Sequence, residues 1–209
     1  MILYIKSFSQ NFHRKNMEKV LQNDEGTAFL SKGVFTDIEL LEKCIEYIEP
    51  RLVERPEIIV YGKICRQNRN IGFFSDESIG YKYSNKLMES KPLSESMINL
   101  LDIVNKILDT KFNGILVNKY MNGNDYIGAH SDDETGLDKI GVVSISYGAE
   151  RIFRIRDKKD KKIVLDENTT HCGILYMGGN FQRLYTHEIP IQKKITKPRI
   201  SFTFRKHTI

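Results

Sequence analysis

Cysteine is scarce in this chain. Cys44, Cys65 and Cys172 are odd in number, widely spaced and free of any Cys-x-x-Cys pair. Neither a disulfide framework nor a cysteine-based zinc site is expected, and the expected location is a reducing interior, intracellular, with nucleus and cytoplasm undistinguished. Long apolar runs are also missing: none reaches the roughly 18 residues that a membrane helix needs, so no membrane partner is expected. The first residues, MILYIKSFSQNFHRK, lack a basic start, a long apolar stretch and a small-residue cleavage site, so they do not read as a secretory signal. No repeat and no low-complexity tract interrupts the chain.

What is present is an ordinary globular composition with a mild basic excess. The formal net charge is +5 over 209 residues. One domain spanning 1–209, acting as a monomer, fits that length, and the excess is compatible with a polyanionic partner such as nucleic acid.

The first third reads as helical and mixed. Thr36 and Asp37 offer an N-cap before IELLEKCIEYIEPRL, where Ile38, Leu41, Ile45 and Ile48 recur at helical spacing before Pro50. A second amphipathic helix is predicted over 94–108, with Met97, Leu100, Leu101, Val104 and Leu108 on one face. From Phe112 the period changes to two. GILVNKY, IGVVSISYG, RIFRIR, KKIVLD, GILYM, RLYTHEI and RISFTFR are short, β-branched or aromatic, and separated by turn residues. The expected class is α+β, mainly β: a sandwich, barrel or jelly roll with helices covering one face. DKKDKK at 157–162 reads as a solvated hairpin turn.

The chemistry gathers in NKYMNGNDYIGAHSDDE and the strands after it. His130 and Asp132 are two apart, so on extended backbone both project to one side. His187 stands on a later predicted strand. Two imidazoles and one carboxylate, leaving coordination positions open, form the ligand set of non-haem iron(II) oxygenases. A His-x-Asp pair by itself is common, and His171 in THCGILYM competes as a third ligand, although its place at a strand start favours a structural role.

RISFTFR adds a second constellation. Its alternation places Arg199, Ser201, Thr203 and Arg205 on one face and Ile200, Phe202 and Phe204 on the other. The two arginines are separated by roughly 20 Å of strand, and side chains of roughly 6–7 Å leaning toward one another leave space for a short dicarboxylate. Taken alone, the strand is better accounted for as an amphipathic edge strand with its arginines in water. Asn118 and Tyr120 alternate onto one side of their own strand and offer an amide and a phenol to the same small acid.

Taken in order, NKY, HSDDE, YTH and RISFTFR resemble the AlkB family of iron(II)/2-oxoglutarate dioxygenases over residues 27–206, most closely its nucleic-acid alkylation-repair branch. The resemblance implies a double-stranded β-helix, or jelly roll, with N-terminal helices packed outside, a catalytic core over 112–206 and an N-terminal extension over 1–26. It implies that His130, Asp132 and His187 hold Fe(II). Asn118, Tyr120, Arg199, Ser201, Thr203 and Arg205 are then the positions that face 2-oxoglutarate, with Ser201 standing where many members carry Asn. The block IIVYGKICRQNRNIGFFSDESIGYKYS resembles the nucleotide-recognition lid, here 58–85. In it Tyr61, Gly62 and Lys63 would lie along the nucleic acid, Arg66 and Gln67 would face substrate, and Tyr81 and Tyr83 would contact the base. Asp133 and Glu134 would sit at the pocket rim.

The implied activity is oxidative demethylation of bases of the 1-methyladenine and 3-methylcytosine type. It would use Fe(II), O2 and 2-oxoglutarate and release succinate, CO2 and formaldehyde, on DNA rather than RNA, with the base flipped out of its stack. Demethylation of RNA, oxidation of a protein side chain by the same chemistry, and an inactive nucleic-acid-binding module are the competing readings.

Overall fold

The computed structural model describes residues 17–207 apart from 61, 79, 84–85 and 133–139, and leaves the side chains of 60, 81–83 and 86 undescribed. Strands are numbered in chain order: β1 Glu18–Gln22, β2 Ala28–Val34, β3 Glu57–Val60, β4 Lys63–Arg66, β5 Asn70–Phe74, β6 Gly80–Tyr83, β7 Lys86–Glu89, β8 Gly114–Tyr120, β9 Ile127–His130, β10 Val142–Gly148, β11 Ile152–Asp157, β12 Ile163–Asn168, β13 Gly173–Gly179, β14 Tyr185–Ile189 and β15 Arg199–Arg205. The helices are α1 Ile38–Ile48, α2 Glu95–Leu108 and the single turn α3 Phe181–Leu184. No helix among the described residues is long and apolar enough to cross a membrane.

Two antiparallel sheets form the body. The larger runs β1-β2-β13-β10-β15-β8-β5 and the smaller β12-β11-β14-β9, while β3-β4 and β6-β7 are separate hairpins. The expected mainly-β architecture with helices outside is present. Both helices start where the capping residues predict: the Asp37 carboxylate accepts from Leu40 N at 3.0 Å and the Ser94 hydroxyl from Met97 N at 3.2 Å, each satisfying an otherwise orphaned donor. The five residues expected on the inner face of α2 are all buried. The buried stripe of α1 is turned from the expected one: Leu41, Cys44 and Ile48 go inside, while Ile38 keeps 43% of its surface exposed.

Apolar side chains divide into two layers. One lies between the helices and the larger sheet, where Leu41, Leu100 and Val104 meet Ile115, Val143, Phe202 and Phe204. The other lies between the two sheets, where Leu30, Val142 and Met177 meet Phe153, Ile155 and Ile189. A strand between these layers buries both faces, as β15 does at all seven positions. It sits inside the sheet between β10 and β8, so an edge strand with solvated arginines is ruled out.

The larger sheet draws three strands from before residue 112. β1 falls within the span read as an N-terminal extension, β2 inserts between β1 and β13, and β5 pairs with β8. Sheet membership depends on which neighbouring edge offers unpaired N–H and C=O groups. That is a tertiary property, and it is why this segment reads only as mixed along the sequence. The charged stretch 157–162 turns β11 into β12, with the Asp157 and Asp160 carboxylates accepting from Lys159 N and Lys162 N.

Candidate metal and co-substrate site

Between the sheets a cavity is lined by His130, Asp132, His187, Asn118, Tyr120, Arg199, Ser201, Thr203 and Arg205, with Arg69 and Phe153 among its other walls. Every residue read from the sequence as a metal or co-substrate contact therefore faces one space.

The first part of the site is built by strand pairing. β9 and β14 lie antiparallel with His130 opposite His187, and Asp132 follows just beyond the end of β9. Ligand atoms of the three lie within 4.8 Å of one another. His130 Nδ1 is 2.9 Å from the Gly128 carbonyl, so it carries the proton and donates, leaving the Nε2 lone pair toward Asp132, 4.0 Å away. His187 Nε2 is 3.5 Å from the other Asp132 oxygen. The His187 ring is stacked on Phe153, 5.1 Å between centroids, and its buried Nδ1 has no hydrogen-bond partner, so packing orients this imidazole where a hydrogen bond orients the other.

Electrostatics set the protonation state. Burial disfavours a charged Asp132, but Arg205, His187 and His130 together outweigh it and hold the carboxyl down at about 2. Burial, reinforced by His130, pushes the His187 imidazole down to about 3. Burial also lowers His130. At neutral pH the trio is thus two neutral imidazoles and one carboxylate, the donor set a divalent transition metal requires without first displacing protons.

The second part is the floor made by β15, β8 and β10. Arg205 donates to Asp132 Oδ1 at 3.2 Å and Arg199 donates to Ser146 Oγ at 2.8 Å. The Arg199 Nε is buried without a partner, and burial pulls this guanidinium down to about 10, still charged at neutral pH. Ser201 bonds Ser144 at 3.0 Å and Thr203 at 3.2 Å, making a hydroxyl ladder across the floor. Three guanidiniums and one carboxylate line the cavity. Buried charge of that sign is costly unless an anion answers it, so the floor suits a small dianion.

Two arginines were not singled out from the sequence. Arg69 is buried and donates to Asn118 Oδ1 at 2.7 Å. Arg66, expected from the resemblance to face the nucleic-acid substrate, is exposed, lies 3.8 Å from Glu57 and does not line the cavity. The pairing of β5 with β8, Ile71 opposite Asn118, is what brings the preceding residues over the floor. Arg151 is 1% exposed and donates to the carbonyls of Asn122, Asp125 and Pro190, and both Arg151 and Arg199 lie over the Tyr120 ring, at 5.6 and 5.4 Å. No local pattern marks either residue; a buried arginine is defined by what surrounds it.

The remaining expectations separate. His171 Nδ1 accepts from Gly148 N and its ring packs on Tyr147, so its role is structural and it is no ligand. Gly62 and Lys63 are exposed on the β3–β4 hairpin, whereas Gln67 is buried with its Oε1 unpartnered. Tyr81 and Tyr83 belong to β6, with side chains outside the described set, and Tyr61, Asp133 and Glu134 lie outside the described residues.

Comparison with known proteins agrees with this geometry. The family model described as the 2OG-Fe(II) oxygenase superfamily matches residues 28–205. DNA oxidative demethylase ALKBH2 of Mus musculus is 32% identical over 174 residues, covering 79% of this chain and 72% of that protein. Its Bos taurus counterpart is 31% identical over 175 residues, and this chain spans 62% of its length. Alpha-ketoglutarate-dependent dioxygenase alkB homolog 3 of Bos taurus is 34% identical over 141 residues, 60% of this chain and 47% of that protein. In fold, the structure of OsALKBH1 superposes with a TM-score of 0.60 at 16% identity, covering 91% of this chain and 100% of that one. With a match running almost from β2 to the end of β15 and relatives of this kind, the chain belongs to the 2OG-Fe(II) oxygenase superfamily, in its AlkB family.

Proposed function

We propose that this chain is an Fe(II)/2-oxoglutarate-dependent dioxygenase that demethylates alkylated nucleic-acid bases, with DNA the preferred substrate, acting as a monomer in a reducing compartment. The observation that carries this reading is the confluence of His130, Asp132 and His187 with Arg199 and Arg205 in one buried cavity.

In this reading His130 Nε2, Asp132 and His187 Nε2 hold the iron. Arg199 and Arg205 answer the two carboxylates of 2-oxoglutarate, and Asn118, Tyr120 and Thr203 complete its hydrogen bonds. Ser201 contributes through its bonds to Ser144 and Thr203. Iron(II) and 2-oxoglutarate, bound together, would activate O2 as the oxidant: one oxygen atom would turn an N-methyl group into a hydroxymethyl group, which leaves as formaldehyde, and the other would enter succinate as the co-substrate loses CO2. The protein's own residues orient and exclude water: the apolar wall of Leu116, Ile127, Phe153, Met177 and Ile189 closes the space around the polar groups.

A base stacked in a duplex cannot enter a cavity between two sheets, so it is flipped out or arrives single-stranded. The names of the relatives, DNA oxidative demethylases, support a nucleic-acid substrate. Gly62, Lys63 and Arg66, exposed on the β3–β4 hairpin, are placed by this proposal along the phosphate backbone with Tyr61 as a stacking wedge. By the family resemblance Tyr81 and Tyr83 would contact the base, and Asp133 and Glu134 would favour a cationic lesion.

Anaerobic loading with Fe(II) and 2-oxoglutarate, then admission of O2 and mass spectrometry of methylated DNA, RNA and peptide, tests the reading. Loss of the methyl group from DNA ahead of RNA is expected, and H187A abolishes it. Consumption of no methylated nucleic acid, or full activity in H187A, overturns it. D133N should depress turnover of cationic lesions more than of neutral ones.

A further inference from the structure

Asp132 lies past the end of β9, where no strand partner receives its backbone N–H. That N–H instead donates to the side-chain oxygen of Gln182 at 2.9 Å. Gln182 is not a wall of the cavity, so it can act on the site only through Asp132. Its amide has a defined orientation, because Nε2 donates to the Met177 sulfur at 3.4 Å and leaves Oε1 facing Asp132. α3, the turn carrying it, is itself held: Lys158 Nζ donates to the Gln182 carbonyl at 2.7 Å, Lys158 N to the Leu184 carbonyl at 2.9 Å, and Asn180 N to the Thr27 carbonyl at 2.8 Å. The adjoining Ser131 hydroxyl donates to the Tyr185 carbonyl at 2.9 Å. The α3–β14 unit therefore carries one ligand, His187, and grips the backbone on which another, Asp132, is mounted.

We propose that Gln182 is a positioning residue for the metal centre, holding the Asp132 carboxylate in coordinating geometry through its backbone N–H. This rests on the metal reading above. A side chain that orients a ligand in this way typically changes metal affinity by about 10–100-fold when removed.

Anaerobic titration of the metal-free protein with Co(II), followed by the visible absorption of the bound ion, reads this without turnover. Gln182→Met keeps the length and removes the acceptor; Gln182→Glu keeps an acceptor oxygen. Wild type and Q182E are expected to bind alike, with Q182M weaker by about 10–100-fold and altered in its band shape, while metal-free Q182M melts with the wild type. Q182M binding as wild type overturns the proposal, as does Q182E binding as weakly as Q182M. If Q182M does not fold, Q182E decides alone, since a tenfold loss in it contradicts a role that needs only an acceptor oxygen. Wild type that binds no Co(II) overturns the metal reading and this proposal together. Loss in H187A beside full binding in Q182M overturns this proposal only.

Discussion

Asp132 is a buried carboxylate held between charged and titratable neighbours. It faces Arg205 at 3.2 Å and His187 at 3.5 Å. Changing Arg205 to Lys keeps a charge but loses the planar fork, so the KM for 2-oxoglutarate should rise by roughly 10–100-fold with the methylated base KM little changed; a steady-state assay varying each substrate checks the split. The histidines make the metal-free protein acid-sensitive. His187 titrates near 6.5 when unfolded and at about 3 when folded, so the unfolded state binds the extra proton between those values. Stability is therefore full above about pH 6.5 and falls as pH drops toward 3, by up to a few kcal/mol. Asp132 adds a loss only below its ordinary carboxylate value, as pH approaches about 2. Urea midpoints from pH 7 to pH 4 should decline in wild type and flatten in His187→Leu. The three thiols should also differ. Cys65 is exposed, whereas Cys44 is buried and pushed by that burial up to about 11. A thiol reagent at pH 8 should modify Cys65 quickly and Cys44 only on unfolding.

At the scale of elements, the site depends on loops that no strand pattern describes. The turn after β8 and the segment after β14 are pressed together, with Gly123 N donating to Ile195 O and Gln192 N to Gly123 O. A Cβ on Gly123 would stand 1.8 Å from the Gln192 carbonyl oxygen. Gly123→Ala must push the two loops apart and disturb the carbonyls around Arg151. A loss of about 1–3 kcal/mol is expected, visible as a Tm lowered by several degrees. The helices behave differently, because their signals are local. Asp37 and Ser94 cap them and α2 buries its expected face, all within a single short stretch of chain. Strand identity was legible for β8, β10, β11, β12, β13 and β15, where β-branched and aromatic residues run between turn residues. In RLYTHEI the first two residues instead close α3.

At the scale of the whole molecule, the proposed function would have the net charge of +5 act on a nucleic-acid substrate while the co-substrate floor is buried. Salt screens exposed charge and scarcely reaches buried pairs. Raising salt from low to physiological strength should increase the oligonucleotide KM on the order of tenfold or more, and the KM for 2-oxoglutarate should stay nearly constant. Parallel salt series on one preparation check this.

The separation between sequence and tertiary structure follows the range of the interactions. Alternation in RISFTFR determines that Arg199, Ser201, Thr203 and Arg205 share a face, and spacing in His130-x-Asp132 determines that those two side chains project together, because both follow from the geometry of extended backbone. Which way that face points was undecided until β15 was placed between β10 and β8. His187 joins the pair only through the register of β14 on β9, with His130 opposite it. Arg69, Arg151 and Gln182 carry no local signature. Their roles come from partners 49, 39 and 50 residues away, and long-range contact of that kind is decided when the sheets close over one another.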